Sequence, residues 1–523
     1  MSDVIVLPVI LCYIAILTMM FVYGLNFIYL TIVAVRAGTE RPTPADPDVW
    51  PTVTVQLPIY NEMYVAERLI DQVAGLDYPH DLLQIQVLDD STDETRALIA
   101  ERVAHWQRSG LQIVHVRRPD RSGYKAGALR YGAEHSTGEL LAIFDADFLP
   151  RPDFLRKAVP ALLADPGLAF VQTRWGHVNR EYSLLTRLQA LAIDGHFGIE
   201  QTGRWASGNW FNFNGTAGVW RRTALAAAGG WHDDTLTEDL DLSYRAFLAG
   251  WSGTYLSDVE SPAELPVSFA AFRRQQHRWA RGSLECAAKH VPAIWRSDAT
   301  IKRKVSATLH LTGYVIHLLL LALSLLYPVL VLVSAAHADL FSLLGILGIF
   351  NLTTLAPTLL FTVGQRQVGR RWFRQIPSVL LLSVFGSGLM VNTGRAAWHA
   401  LRHEPAAFER TPKFGVRERS ETWLHLRYQL AMDRIVIVEI ALAVLNVASC
   451  VVAVDHHFWA IALYTAIFAA GLGGAAAGSL HQRVRVDATH RLSVPTAVPA
   501  GDEQPGACAS ASLVSAQGEL VVD

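Results

Sequence analysis

Cysteine is scarce in this chain. Cys12, Cys286, Cys450 and Cys508 are the four in 523 residues. Their scatter excludes a disulfide framework and any thiolate metal site of short ligand spacing. Two of them lie in apolar stretches, where a free thiol behaves as a small hydrophobe. Charge is sparse as well: Asp, Glu, Lys and Arg make up 18% of the chain, the net charge is −2, and no dense basic run occurs. Nothing in that balance points to nucleic acid. The polar middle of the chain has no G-x-G-x-x-G or Walker pattern, which argues against a dinucleotide or P-loop enzyme. Apolar residues are what the chain has in excess: 51% hydrophobic, with a mean hydropathy of +0.24, high for a soluble protein.

The apolar residues collect toward the two ends. Residues 4–35 are almost unbroken hydrophobic sequence, too long for a signal-peptide core and followed by no small-residue cleavage site. They read as a retained transmembrane helix. Asp3 precedes this run and Arg36 and Arg41 follow it, so the positive-inside rule places the next segment in the cytoplasm. After a Pro-rich linker, residues 50–297 have the composition of a soluble α/β domain. Beyond them, 305–336 and 340–363 are long enough to span, joined by a turn at 337–339. The basic stretch 365–374 should stay cytoplasmic. The shorter run 376–391 is bracketed by Arg374 and Arg395 and reads as an interfacial or re-entrant helix, because a span there would put the basic segment 395–434 outside. Residues 435–454 and 458–480 close the region as a hairpin. The expected layout is a helix at 1–36, a linker at 37–49, a cytoplasmic domain at 50–297, a membrane region at 298–480 with the interfacial helix at 375–395, and a disordered tail at 481–523. That makes five spans.

Within the soluble domain, strands at 53–57, 85–88 and 111–116 alternate with helices near 64–76 and 94–109. Such alternation predicts a mostly parallel sheet with right-handed crossovers. Polar clusters end three strands: Tyr60-Asn61-Glu62, Asp89-Asp90 and Asp145/Asp147. In a parallel sheet these ends share one edge, so the clusters should converge on one cleft. In 140–147 six apolar residues surround Asp145 and Asp147, and two carboxylates alternating on an extended backbone could hold a hard divalent cation. Mg²⁺ is usually held by one or two carboxylates plus substrate phosphates, so a nucleotide diphosphate would come with it. An Asp turn or helix cap is the plainer alternative. Thr237-Glu238-Asp239 reads either as a capped helix start, with carboxylates favoured by the helix dipole, or as a general base that takes a proton from an attacking hydroxyl. Gln275, Arg278 and Trp279 share one helical face. They could hold a diphosphate and stack on a sugar ring, or belong to a basic amphipathic helix at a membrane surface.

The order and spacing of Asp90, Asp145-Ala146-Asp147, Thr237-Glu238-Asp239 and Gln275-x-x-Arg278-Trp279 resemble the membrane-embedded family 2 glycosyltransferases, which include cellulose, hyaluronan and chitin synthases. Residues 58–62, 86–93, 213–218 and 235–246 look most like the cellulose synthase-like A and C branch, (gluco)mannan and glucan synthases, and its bacterial relatives. The likeness covers roughly residues 53–279. It implies an α/β GT-A fold and inverting transfer from a nucleoside-diphosphate sugar. By the same likeness Asp239 is the base, with Glu238 beside it. Tyr60, Glu62 and Asp90 contact the nucleoside, with Asp89 adjacent, and Lys125 lies near the diphosphate. Asp145 and Asp147 bind diphosphate and Mg²⁺ or Mn²⁺. Gln275, Arg278 and Trp279 hold the leaving diphosphate and line the acceptor site, which Asn214, Gly215 and Thr216 also touch.

Within residues 404–416, Phe408, Thr411 and Lys413 match a gating loop of pattern F-x-V-T-x-K, with Arg410 departing from Val. The implied activity is processive synthesis of a β-linked glucan, mannan or glucomannan from UDP-glucose or GDP-mannose, with the growing glycan exported through the membrane and any export partner left open. A lipid glycosyltransferase adding one or a few sugars to a membrane lipid is the second reading. A transporter with a sensing domain is the third, and Glu439 is its main intramembrane residue. Unlike cellulose synthase, the sequence shows one span before the domain and no cyclic-dinucleotide-binding domain after the last hairpin, so regulation by that ligand within the chain is not expected. The Ala/Arg-rich composition and short loops point to a bacterial inner membrane with the catalytic domain in the cytoplasm.

Overall fold

The computed structural model describes residues 3–38, 45–336, 355–404 and 408–493. Seven strands form one sheet: β1 Val53–Ile59, β2 Leu83–Asp89, β3 Ile113–Val116, β4 Leu140–Ile143, β5 Leu168–His177, β6 Gly218–Arg221 and β7 Ser252–Ala263. They are ordered β3-β2-β1-β4-β6-β5-β7. β1 pairs in parallel with β2 and β4, β2 with β3, and β5 with β7, while β6 runs antiparallel between β4 and β5. This is the mostly parallel sheet that the strand–helix alternation predicts. Successive side chains alternate between faces. On β1, Val53, Val55, Leu57 and Ile59 enter one core with Ile85, Val87, Leu140 and Phe144. Leu141, Ile143, Phe170 and Trp220 enter a second core on the opposite face. The polar residues of β1 fall on that second face and bond across the ladder. Thr54 Oγ1 donates to Gln84 Oε1 (2.8 Å) and Gln56 Nε2 to Gln86 Oε1 (3.1 Å), while Gln56 Oε1 is buried without a partner. Pairing of the donors is what makes such burial tolerable. The strand order reverses between β1 and β4, and a crevice opens at their carboxyl ends.

Among the described residues, Val6–Ala37, Val315–Ala335, Val436–Asp455 and Trp459–Thr489 are long and apolar enough to cross a membrane. A bent pair, Trp372–Ser387 and Met390–Leu401, would add a fifth if it counted as one span. Three differences from the sequence reading stand out. The span expected from 305 begins at Val315, because Ile301–Leu311 is a separate helix that buries Ala307 and Leu311 in the domain core. The stretch expected to be one interfacial or re-entrant helix is two helices bent by 44°, a shape that fits a re-entrant loop or a broken span, the second lying along the Phe269–Arg296 helix at the domain's edge. The last helix runs to Ser493, past the point where the tail was expected to begin. Its extension is held: Gln482 Oε1 accepts from Ala270 N (3.1 Å), and Val486 packs with Phe414 and Trp423. The turn at 337–339 and much of the expected span 340–363 lie outside the described residues.

Candidate active site

The crevice is an open cleft of about 1240 Å³. Tyr60 and Glu62 follow β1 and Asp90 follows β2, and all three line the cleft. Arg118 clamps Asp90, with Nε donating to Oδ1 (2.8 Å) and Nη2 to Oδ2 (2.6 Å). Arg121 lays its guanidinium 3.5 Å from the centre of the Tyr60 ring and 4.8 Å from that of Tyr124. Sequence reasoning missed both arginines, although they lie just ahead of the Gly123-Tyr124-Lys125 motif. Asp89 does not reach the cleft. It is buried, accepts from Ser91 N (2.8 Å) and lies 2.8 Å from His115 Nε2, so it fastens strand ends rather than a nucleotide. Strand alternation is the reason: Asp89 and Asp90 cannot face the same way.

Asp145 and Asp147 sit in a tight turn, where Phe148 N donates to Asp145 O (3.0 Å), rather than on an extended backbone. Thr216, expected at the acceptor, is buried beneath them and accepts from Asp145 N (2.9 Å). Lys125 Nζ lies 2.6 Å from Asp145 Oδ1, 3.0 Å from Gly215 O and 3.8 Å from Glu238 Oε1. Lys413 Nζ lies 2.7 Å from Asp147 Oδ2 and also donates to Glu264 O. Glu264 in turn accepts from Phe414 N and Gly415 N, each at 2.9 Å, and this pins the loop over the cleft. Burial pushes the Glu62 carboxyl up to about 8; Asp147 and Asp145 add to the rise, and Arg410 and Lys413 oppose it. Its Oε2 is shut from solvent with no hydrogen-bond partner. Asp145 and Asp147 supply the hard oxygen ligands that suit a hard divalent cation, each paired here with a lysine. A second group of ligand type, His232, Asp234 and Asp241, is taken up by basic side chains. Lys289 lies 2.7 Å from both aspartates, and His290 and Arg245 are each 2.8 Å from Asp241.

Thr237 occupies the cap position of the Glu238–Leu248 helix without capping it. Its Oγ1 lies 3.4 Å from Cys286 Sγ instead, on the Phe269–Arg296 helix. That close approach needs Gly282, where a Cβ would stand 2.6 Å from the Thr237 side chain. Asp239 and Glu238 face the cleft. Burial and the neighbouring Glu238 push Asp239 up to about 7, against Lys125, the Leu240 N–H and Arg278. Asn214 and Gly215 line the same wall. Gly215 has φ +80°, and a Cβ there would meet Asp239 Oδ2 at 3.0 Å and Lys125 Nζ at 3.4 Å. Gly215→Ala is therefore expected to lower turnover about a hundredfold by displacing the Asp239 carboxylate, with nucleotide affinity measured by titration kept within about twofold.

Gln275, Arg278 and Trp279 all reach the cleft, as do Phe408, Arg410, Thr411 and Lys413. Their helix, Phe269–Arg296, is capped at its start by Ser268 Oγ, which accepts from Ala271 N (3.1 Å). Arg278 stands 4.7 Å from the Phe408 ring centre. Among the described residues Arg121 Nε, Arg278 Nε and Arg410 Nη1 are buried without a hydrogen-bond partner. Unpaired buried donors converging with two lysines call for an anion. Glu439 is taken up in an ion pair: Arg273 Nη2 donates to its Oε1 at 2.5 Å and Nη1 to its Oε2 at 3.1 Å, with both residues buried.

Residues 51–282 match the family described as "Glycosyltransferase like family 2". A probable glucomannan 4-beta-mannosyltransferase 9 of Oryza sativa subsp. japonica is 40% identical over 315 residues, 57% of this chain and 59% of that protein. Glucomannan 4-beta-mannosyltransferase 2 of Arabidopsis thaliana is 46% identical over 252 residues, 47% of each chain. The chain thus spans about half the length of the curated relatives it matches. Both are plant proteins, and they lend no support to a bacterial inner membrane. Among solved structures, a mannosyltransferase from Pyrobaculum calidifontis in complex with GDP-Man and Mn²⁺ is similar at 25% identity and a TM-score of 0.46, covering 69% of this chain and 98% of that one.

Proposed function

We propose that the whole chain is a processive inverting synthase of β-linked mannan or glucomannan, with GDP-mannose as its first donor and with residues 51–282, which match the family 2 glycosyltransferases, as its catalytic domain. The observation that carries this reading is the convergence, in one cleft, of a half-buried carboxylate of raised pKa, an acidic pair and unpartnered cationic donors. The likeness to glucomannan mannosyltransferases supports the sugar and the polymer. In this mechanism Tyr60, Arg121, Glu62 and Asp90 hold the nucleoside. Lys125, Arg278, Arg410 and Lys413 neutralise the diphosphate. Asp145 and Asp147 would hold Mn²⁺ or Mg²⁺, which supplies charge neutralisation to the leaving group when bound. Asp239 takes the proton from an acceptor hydroxyl that Asn214 and Trp279 hold opposite the leaving diphosphate. The polymer would leave beside the membrane helices that flank the cleft, and the catalytic domain would face the cytoplasm.

The test is product analysis in vesicles offered labelled GDP-mannose, UDP-glucose, UDP-galactose or UDP-N-acetylglucosamine with Mn²⁺ or Mg²⁺. A high-mass β-linked glycan from GDP-mannose, lost with a chelator and restored by Mn²⁺, is the expected result. A low-mass product extracting into organic solvent would replace the polymer reading with lipid glycosylation.

A further inference from the structure

Behind Asn214, on one wall of the cleft, the chain is built in an unusual way. Between the Leu184–Gly195 and Thr202–Ala206 helices, residues His196–Gln201 form a π-helical turn. Such turns are rare and concentrate at functional sites. This one packs against the first membrane helix and the Ala356–Gln367 helix, at the seam between the domain and the membrane region. Phe197, Gly198, Ile199 and Gln201 are buried, whereas His196 and Glu200 are only partly covered. None of these residues belongs to the motifs assigned above.

The hydrogen bonds of the turn fix the orientation of Asn214. Gln201 Nε2 donates to the backbone Asn212 O (2.9 Å), so the direction of its amide is set by an atom that can only accept. The same Nε2 donates to Asn214 Oδ1 (2.7 Å), which uses the carbonyl end of the asparagine. Asn214 Nδ2 then faces His196 Nε2 at 3.2 Å. An amide nitrogen only donates, so His196 Nε2 accepts, and the ring is neutral with its proton on Nδ1. Nδ1 looks toward Glu200 Oε1 at 3.9 Å, and Arg204 holds Glu200 Oε2 at 3.3 Å. Asn214 lines the cleft next to Gly215, whose α-carbon faces Asp239, and the bond to His196 uses one of its two amide N–H groups.

We infer that His196, backed by Glu200, is a positioning residue for the acceptor: it sets the Asn214 amide so that its free N–H holds a sugar hydroxyl of the growing chain beside Asp239. This rests on the reading of the cleft as a glycosyltransferase site. Its consequence is a division of labour. The donor is held by groups at the ends of β1, β2 and β4, and the acceptor end by a turn anchored to the membrane helices. Water needs no such alignment to attack a bound donor, so weakening the relay should favour hydrolysis over transfer.

The experiment uses the full chain in detergent with its preferred donor. It compares free sugar released with sugar incorporated, and measures the product's length and the Kd of GDP and UDP with Mn²⁺. His196→Phe, which cannot accept from Asn214, is expected to raise released over incorporated sugar about tenfold and to shorten the product. His196→Gln, whose amide oxygen can accept, should stay within about twofold of the wild type. Nucleotide Kd should not move in either. Equal impairment by Phe and Gln, a parallel loss of nucleotide binding, or a His196→Phe protein indistinguishable from wild type would each overturn the inference. Absence of both sugar release and nucleotide binding in the unsubstituted chain would instead count against the transferase reading itself.

Discussion

Asp239→Asn is expected to lower sugar transfer about a thousandfold while leaving the Kd of the nucleotide within about twofold. The carboxylate sits in the first turn of the Glu238–Leu248 helix, half-buried, with Glu238 beside it and Lys125 and Arg278 opposing. Burial and the adjacent carboxylate raise it to about 7, a value suited to a base working near neutral pH. The sign follows directly. The ionised form is the base, so turnover should fall as the pH drops below about 7 and level off above it, and the asparagine variant should lose this limb along with its activity. Asparagine keeps the size and removes the charge and the basicity, so the helix should stay in place. A variant that binds nucleotide normally and still makes polymer at the wild-type rate would remove Asp239 from the base's role. A pH–rate profile on both proteins makes the distinction. A transporter with a sensing domain predicts indifference to the substitution.

Arg273→Leu should be the most destabilising single change, costing about 3–5 kcal/mol, because it leaves the Glu439 carboxylate buried without a partner. The pair links the start of the Phe269–Arg296 helix to the membrane helix Val436–Asp455, two residues before Gln275 enters the cleft. Ser479 Oγ also accepts from Arg273 Nη1 (2.9 Å), and Asn392 Nδ2 donates to Arg273 O (3.0 Å), so four segments meet at this point. Replacing both charges by leucine should recover most of the loss, since an apolar pair avoids the cost of desolvating two ions. The thermal midpoint in detergent for the two single variants and the double variant tests this. If the double variant is no more stable than Arg273→Leu alone, the penalty comes from lost packing or from Ser479 and Asn392 rather than from the stranded charge. The same comparison on activity would show whether the anchor keeps Gln275, Arg278 and Trp279 in register with the domain.

What could be read from the sequence was local. An apolar run closed by Asp145 and Asp147 marks a strand end, and Gln275, Arg278 and Trp279 share a face because the helical period is 3.6 residues. Long hydrophobic runs announce helices able to span whatever they pack against. These features depend on residues close together in the chain, so the acidic pair and the cationic face were legible locally, whereas Asp239 was singled out as a base by the family resemblance. The end of the last helix was misjudged because the contacts holding residues 481–493 come from Ala270, Phe414 and Trp423, far away in sequence. Thr237 was read as a cap from its position alone, whereas packing against Gly282 and Cys286 turned its side chain elsewhere. Which of two adjacent aspartates faces the ligand depends on strand register. That register put Asp90 in the cleft and Asp89 against His115. The pairs Lys413–Asp147 and Arg273–Glu439 join residues 266 and 166 positions apart. Local propensity carries no information about such partners. Only the folded chain brings them within reach, where burial makes pairing obligatory and so decides which charges serve the cleft and which hold the domain to the membrane helices.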